Sequence, residues 1–329
     1  MRIVELQYFL HFLLCLSPWI IIQIDSISYS SWAWSLPKWL FLFGIFTDNL
    51  LPTIHQFKNY FSIDSDYIPH SSILILPLFS LIFSYIAIFI HIYIKTSIDT
   101  ELIGYSFTMG MISAIATSYA HEMLHKKSIL CKISSYLIFL LNFNVDFFVN
   151  HLSVHHGELQ VNSKYFVARK NTSLWSYIYQ NFIFKVRLLF HQKKFFSTYK
   201  LSALLFLILS FIIYHYLETS GLVFLIMQSI IAHFFIETVQ YIQHYGSELN
   251  KDRMCVWNSK TTLDYFVLFN VGDHYSHHLN HDCKVNYKIQ KLELPHGYPL
   301  MILISFFPKV WFRAINPILE SLEQNSETK

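Results

Sequence analysis

Long apolar runs, separated by short polar segments, set the pattern of this chain. A bilayer core of about 30 Å is crossed by roughly 20 apolar residues in a helix. Runs close to this length predict an all-α, polytopic membrane protein with about six transmembrane helices. The predicted spans are 8–24, 30–47, 71–94, 102–120, 201–217 and 219–236. No Gly/Ser-rich linker or repeat divides the sequence, so we expect residues 1–329 to form a single integral-membrane domain.

Three shorter apolar stretches, 133–145, 266–271 and 297–308, do not have the length of a span. We expect them to lie at the interface or to pack under the lipid headgroups. The tail after Pro317 is polar, and we expect it to fray.

Composition supports the membrane interpretation. Hydrophobic residues make up 53% of the chain and charged residues only 14%, whereas a soluble domain has about 25% charged residues. This excludes a disordered chain and argues against a soluble enzyme. The net charge of +3 is too small to indicate a nucleic-acid partner. Four cysteines without a CxxC pair argue against disulfides or a cysteine zinc site.

The distribution of charge predicts the orientation. The segment 159–217 contains no acidic residue but carries eight basic ones, Lys164, Arg169, Lys170, Lys185, Arg187, Lys193, Lys194 and Lys200. Because basic loops stay on the cytoplasmic side, this segment is predicted to be cytoplasmic. An even count of spans then places the histidine-rich regions 121–200 and 244–317, and the N-terminus, on the same face of the inner (plasma) membrane.

Histidine carries the chemical signal, with 18 residues in the chain. Half of them fall in four motifs, HEMLHK, HLSVHH, QHYG and HYSHH, near predicted span ends. These are His121, His125, His151, His155, His156, His244, His274, His277 and His278. Spacings of three and four residues place imidazoles on one helical face, and imidazole is a ligand for Fe, Zn, Cu and Ni. Nine ligands exceed the six of an octahedral ion, so the motifs predict two metal ions.

Two other classes of protein share part of this pattern. HExxH is also the signature of zinc metalloproteases, but those enzymes need only one further ligand, whereas this chain offers many. A metal transporter or sensor would carry histidines within its spans along a path, whereas these clusters lie at or beyond the span ends.

Three motifs together resemble a known family. HEMLHK at 121–126, QHYG around His244 and LPHGYPLM at 294–301 resemble the alkane 1-monooxygenases (alkane ω-hydroxylases), within the integral-membrane fatty acid desaturase/hydroxylase superfamily. The resemblance covers about 36–317 and implies an oxidoreductase of lipid metabolism. It implies a non-haem diiron centre, two Fe held by the nine histidines, that hydroxylates a terminal carbon with O2. Electrons would come from a rubredoxin-type carrier and its reductase, and the hydrophobic alkyl substrate from the lipid bilayer.

The closest alternative is an acyl-lipid desaturase or hydroxylase of the same superfamily, which would share the metal site. HxxxHH and QHYG favour the alkane branch. The residues flanking the histidines depart from the family pattern: Asn150 and Val154 replace its Glu and Gly, Gln240 and Gln243 replace its Asn and Glu, and Val-Gly-Asp precedes His274. Substrate identity therefore stays open.

Ligand histidines usually donate their second ring N–H to a carboxylate or carbonyl. The nearby acids Glu122, Glu237 and Asp273 are predicted to take this part, with Glu158 a further candidate. Glu237 lies two helical turns before His244, at a depth where an acid needs a partner.

Overall fold

A computed structural model describes residues 3–27, 32–47, 71–145, 167–191, 196–246, 253–276 and 288–327. The helices of the first half are α1 (Ile3–Ile27), α2 (Ser35–Thr47), α3 (Ser71–Lys95), α4 (Thr100–Leu124) and α5 (Ile129–Leu141). In the second half come α6 (Leu174–His191), α7 (Phe196–His244), β1 (Arg253–Asn258), α8 (Thr262–Val267), a 3-10 turn (Phe269–Gly272), β2 (Lys288–Glu293), α9 (Tyr298–Ser305) and α10 (Pro308–Glu327).

Three described segments are long and apolar enough to cross a membrane: Glu5–Asp25, Ile73–Lys95 and Lys200–His244. Their outward-facing side chains are large and apolar, for example Phe79, Phe83 and Ile90 on α3. In water such a surface would be an aggregation hazard, but it suits lipid. The fold is therefore mostly helical, as predicted, and consistent with a membrane protein; the count of about six spans stays a prediction.

The third of these segments contains two arms rather than one straight helix. Glu218 has a positive φ of 51°, and a Cβ placed on Gly221 would lie 2.9 Å from the Ile213 side chain. Eight residues of straight helix separate such positions by about 12 Å. The chain therefore bends back sharply at Glu218, at the boundary between the predicted runs 201–217 and 219–236.

The second arm of α7 lies directly against α4. A Cβ at Gly110 would come within 2.6 Å of Ile231 and 2.8 Å of the Gln228 carbonyl oxygen. Glycine is therefore required at this crossing, because any side chain would push the two helices apart. This close approach leaves α4 and α7 side by side up to the histidines that end each of them.

Helix α5 is too short to span a bilayer, as predicted, and packs against α4. Ser135 near its middle donates to the Ala120 carbonyl oxygen at 2.7 Å. At its end, Asn142 donates to the Ser113 carbonyl oxygen at 2.9 Å and to Thr117 at 3.2 Å. The chain then turns at Phe143 with a φ of 52°. The C-terminal end of α5 is thus buried inside the bundle.

A small two-stranded sheet departs from the all-α prediction. Strands β1 and β2 pair in parallel, with Arg253 opposite Lys288 and Asn258 opposite Glu293. The sheet is fixed to the end of α7 by Trp257, which is fully buried and donates its indole N–H to the Tyr245 carbonyl oxygen at 2.7 Å. It therefore anchors the segments on either side of the histidine region.

Helix α1 begins at the same end of the bundle as this sheet. Gln7 donates to the Tyr265 carbonyl oxygen of α8 at 3.0 Å. Helix α8 lies next to the ends of α4 and α7, so the start of α1 and the histidine-bearing ends share one side of the molecule. The number of membrane spans between them stays a prediction.

Candidate metal centre

The first histidine motif lies at the C-terminal end of α4. Asp99 caps the other end of this helix by accepting from the backbone N–H groups of Glu101 and Leu102. His121 occupies the last turn and is buried, and His125 is the C-cap residue. The two ring centroids are 5.1 Å apart. The spacing of four residues therefore places the two imidazoles side by side, as predicted for one helical face.

The third and fourth motifs meet in space. His244 ends α7, and His274 follows the 3-10 turn; both are almost fully buried. Their Nε2 atoms lie 2.9 Å apart, which requires one ring to donate and the other to accept. Two neutral imidazoles whose Nε2 atoms converge on one point are also the donor set that a first-row metal takes. The chemistry of this pair therefore fits a metal site.

Histidines from three of the four motifs border one cavity of about 170 Å³. His121, His244 and His274 lie at its polar end. From there it runs between α4 and the second arm of α7, with α8 and α9 closing the sides. The stretch of α4 from Met111 to His121 lines it, a length of about 15 Å at the helical rise per residue. A long and mainly apolar space thus ends at histidine side chains.

The cavity wall follows the helical repeat. On α4 it is formed by Met111, Ile115, Ser118 and His121, and on α7 by Ile236, Gln240, Gln243 and His244. Positions three to four residues apart face the same way, so each helix contributes an apolar stripe that becomes polar in the last turns before the histidine. The inner part of the cavity is therefore apolar, and the end at the histidines is polar.

Three hydrogen bonds hold the segment that carries His274. Asn258 at the end of β1 donates to the Asp273 carboxylate at 2.6 Å and accepts from the Tyr275 backbone N–H at 2.8 Å. Gln243 donates its amide to the Val271 carbonyl oxygen at 3.0 Å. A glutamate at position 243 would have no proton to donate in its ionised form. Gln243, at which the chain departs from the family pattern, therefore links the two histidine motifs through this hydrogen bond.

Asp264 is a buried acid that the sequence reasoning did not select. Its carboxylate accepts from the Ser259 hydroxyl and from the Tyr298 backbone N–H at 2.9 Å, and it borders the cavity. It therefore joins α8 to the start of α9. The signal was present in the sequence, because Thr261 and Asp264 have the S/T-x-x-D/E spacing of a capping box, and Thr261 accepts from the Asp264 N–H at 3.2 Å.

The acids predicted to support the ligands lie in three settings. Glu122 pairs with Lys126 at 2.8 Å, and Asp273 accepts from Asn258 as described. Glu237 accepts from Asn181 at 3.0 Å and from Lys185 at 2.6 Å, both on α6. Glu237 therefore has the polar partners that an acid at this depth needs. The support of a histidine ligand by any of the three stays a prediction.

Electrostatics place two of these acids near each other. Burial, together with the negative charges of Glu122 and Asp273, raises the pKa of Tyr265 to about 12. Both carboxylates are therefore close enough to α8 to act on one phenol.

The other predicted ligands, His151, His155, His156, His277 and His278, lie outside the described residues, as does Glu158. Within the residues that the structure describes, no group of three or more His, Cys, Asp or Glu side chains is assembled closely enough to hold a metal ion. The described part of the site is thus a pair of converging imidazoles with two further histidines nearby on α4.

The chain is similar to three curated alkane 1-monooxygenases, and no protein-family model matches it. Alkane 1-monooxygenase 2 of Pseudomonas aeruginosa is 26% identical over 248 residues, covering 65% of this chain and 64% of that protein. Alkane 1-monooxygenase 2 of Alcanivorax borkumensis is 25% identical over 253 residues, 67% of this chain and 64% of that protein. Alkane 1-monooxygenase 1 of Alcanivorax borkumensis is 22% identical over 240 residues, 65% of this chain and 59% of that protein. The chain therefore matches just under two thirds of each relative's length, and the predicted resemblance to alkane 1-monooxygenases, which are oxidoreductases, is confirmed.

Proposed function

We propose that this protein is a multi-pass membrane monooxygenase with a non-haem diiron centre, hydroxylating the terminal carbon of an alkane or related alkyl chain. The observation that carries the proposal is the cavity between α4 and α7, which is apolar along its length and ends at His121, His244 and His274. The names of the three relatives support the reaction type.

The walls account for binding of an alkyl chain. Such a substrate offers no polar handle, so its affinity comes from burial, at about 0.8 kcal/mol for each methylene group. Apolar side chains such as Met111, Phe235 and Ile302 line the inner part. A chain held there has one end directed at the histidines, because the cavity is elongated along the helix axes. The fold thereby supplies positional selectivity for a terminal carbon.

The histidines account for the redox chemistry. His244 and His274 present converging Nε2 atoms, and the seven other predicted ligands complete a set suited to two Fe. When bound, the iron would activate O2 and accept electrons. The balanced reaction is R–H + O2 + 2 e⁻ + 2 H⁺ → R–OH + H2O. The two electrons would come from a rubredoxin-type carrier and its reductase.

The predicted orientation suits such a carrier. The basic residues of 159–217 favour the cytoplasmic face of the inner membrane, and the described part of this loop includes Arg169 and Lys170 before α6. Gly246, two residues after His244, packs so closely against Leu319 that a Cβ at this position would clash with the Leu319 side chain. Its backbone N–H donates to the Ala168 carbonyl oxygen at 2.7 Å. The basic loop is therefore tied to the same end of the bundle as the histidines.

Product analysis tests this function. The protein would be co-expressed with a rubredoxin and its reductase, supplied in parallel with a linear alkane and a fatty acid, and the products identified by mass spectrometry. We expect a terminal alcohol from the alkane. An unsaturated acyl chain instead would establish the acyl-lipid desaturase alternative, and no product from either substrate would contradict the proposal.

A further inference from the structure

Helix α6 carries a row of large apolar side chains on its outer face. This aromatic row consists of Trp175, Tyr179, Phe182 and Val186. Spacings of four, three and four residues place the four side chains within about 60° of arc on the helix. Each residue is 36% to 67% exposed, although α6 is not one of the described segments that are long and apolar enough to cross a membrane. An exposed apolar surface of this kind marks a site of contact with a membrane or another protein.

The rest of the surface of α6 is divided into two further faces. The buried face is formed by Leu174, Tyr177 and Asn181. The exposed polar face is formed by Ser176, Gln180 and Arg187. The polar face lies roughly 110° around the helix from the aromatic row. A helix that presents one apolar and one polar face beside its protein contacts is typical of a membrane–water interface.

The contacts of α6 place it beside a span-length segment rather than beyond the end of that segment. Lys185 donates to Glu237 at 2.6 Å, and the ring centroid of Trp175 lies 5.9 Å from that of Phe234. Glu237 and Phe234 precede His244 by seven and ten residues, which is about 10 and 15 Å of helix. Both belong to the third segment that is long and apolar enough to cross a membrane. Helix α6 therefore lies next to the last turns of the helix that leads to His244.

The aromatic row is continuous with an outward surface that suits lipid. Ile226 and Ile230 lie eight and four residues before Phe234 on α7, and both are exposed. Because Phe234 contacts Trp175, this apolar face of α7 leads directly to the first residue of the row. Trp175 also donates its indole N–H to the Phe306 carbonyl oxygen at 3.1 Å, at the end of α9. The row thus extends the apolar surface of a span-length helix.

The charges near the row favour a lipid surface over other partners. Acidic residues are missing from 159–217 and from 297–319, the two segments that meet at Trp175. The exposed basic residues of these segments include Arg169, Arg187, Lys309 and Arg313. Basic side chains beside an apolar face attract anionic phospholipids. A second copy of the chain would bring like charges together, which is unfavourable at an interface.

We propose that α6 lies in the cytoplasmic leaflet of the bilayer, with the aromatic row among the acyl chains and the basic side chains at the headgroups of anionic phospholipids. The inference rests on the membrane location and orientation in the proposed function. It changes the interpretation of a segment that the charge pattern predicts to be cytoplasmic, because only the polar face of α6 would then meet water. The Lys185–Glu237 ion pair would join this interfacial helix to the helix that carries His244.

Spin labelling at single cysteines tests this placement. Tyr179→Cys lies in the aromatic row, and Gln180→Cys, at the next residue, is an equally exposed control on the polar face. Each variant would carry a nitroxide and be placed in nanodiscs of equal parts phosphatidylcholine and phosphatidylglycerol. Collisions of the nitroxide with O2, which dissolves among acyl chains, are compared with collisions with a water-soluble nickel chelate. We expect an oxygen-to-nickel ratio several-fold higher at position 179 than at position 180. The protein without an added cysteine, treated identically, corrects for labelling of the native cysteines.

A third variant, Ile86→Cys, lies on the exposed side of α3 and serves as the reference for lipid contact. A high ratio at position 86 with equally low ratios at 179 and 180 would overturn the placement of α6 and leave the membrane location intact. A low ratio at position 86 would count against the membrane location in the proposed function, and the inference would fall with it. Few collisions with either reagent at position 179, together with spectral broadening by a second nitroxide, would show contact between two copies and overturn the lipid assignment.

A second measurement applies if the cysteine variants do not fold. The fluorescence that is lost in Trp175→Phe reports on Trp175 alone, despite the other tryptophans of the chain. In nanodiscs, we expect lipids brominated close to the headgroup to quench this part of the signal more strongly than iodide in the water. Equal or stronger quenching by iodide would overturn the inference.

Discussion

Two glutamines on the second arm of α7 differ in how their polar atoms are used. Gln228 lies deep in the bundle, fully buried, and its Oε1 accepts from Tyr85 at 2.9 Å and from Ser113 at 3.3 Å. Its Nε2 donates to Ser229 at 2.8 Å. Gln240, three turns later, leaves its Oε1 without a partner beside the cavity. The first glutamine belongs to a closed polar cluster, and the second is a partly buried residue of the cavity wall.

This contrast separates a structural region from a binding region within one helix. A polar network whose members satisfy each other fixes the register of packed helices, and the cluster around Gln228 joins α3, α4, α5 and α7 through Tyr85, Ser113 and Asn142. The cavity between α4 and α7 is lined mainly by apolar surface instead. Substitutions in the first region should change stability, and substitutions in the second should change chemistry or selectivity.

The largest effect is expected at the histidine end. His244→Ala should reduce hydroxylation by at least a hundredfold, because it removes one of two converging imidazoles, while thermal stability in detergent changes little. The matched control is His215→Ala, on the same helix but exposed, which should keep wild-type activity. Turnover assays on both variants, normalised to folded protein, make the comparison. Normal turnover of His244→Ala would remove this residue from the proposed ligand set.

The closed cluster should respond in the opposite way. Gln228→Leu leaves the Tyr85 hydroxyl and its neighbours with fewer partners, and should lower the free energy of unfolding by about 1–3 kcal/mol. The preference among alkanes of different length should not change, because Gln228 does not line the cavity. Unfolding curves in detergent and competition among alkanes in one vessel measure the two quantities. A changed substrate preference with unchanged stability would break the distinction between the regions.

Enlarging the inner end of the cavity should change the preferred length of the substrate. Phe235 borders the cavity about one and a half helical turns before Gln240, and Phe235→Ala would lengthen the apolar space. Each methylene that the longer cavity accepts adds about 0.8 kcal/mol, or roughly a fourfold gain in kcat/KM per carbon. Competition among alkanes of increasing length would show the optimum moving to longer chains. An unchanged optimum would mean that the alkyl chain does not lie along this wall.

The smallest effect is expected at the far end of α4. The Leu102 backbone N–H holds the pKa of Asp99 below its usual range, so this carboxylate stabilises the fold above its unfolded pKa, and the contribution is lost as pH falls through the lowered value. Asp99→Ala should cost about 1 kcal/mol near neutral pH, and Asp99→Asn, an equally good cap, should cost little. Thermal unfolding at neutral and acidic pH tests both variants; a change in substrate selectivity would be unexpected.

The lengths of the apolar runs predicted the helical character and the division into two spans at Glu218, where the structure has the bend, because burial in lipid demands long apolar runs with charges at their ends. The histidine spacings predicted that His121 and His125 would be neighbours. The spacings did not predict that His244 lies beside His274, because this contact depends on a turn that is held by Gln243 and Asn258. The parallel sheet was also missed, since its six-residue strands are separated by a long segment and carry no marked alternation. Gln240 was noticed as a departure from the family pattern, but its place on the cavity wall is visible only in the packed structure.

The central claim is that histidines from separate motifs form one metal centre at the end of the cavity. Metal analysis of anaerobically purified protein tests it most directly, with His274→Ala and His215→Ala measured beside the wild type. The account predicts about two iron ions per chain in the wild type and in His215→Ala, since nine imidazoles exceed the ligand number of a single octahedral ion, and a loss of iron in His274→Ala. One iron or none in the wild type, or full iron content in His274→Ala, would contradict it.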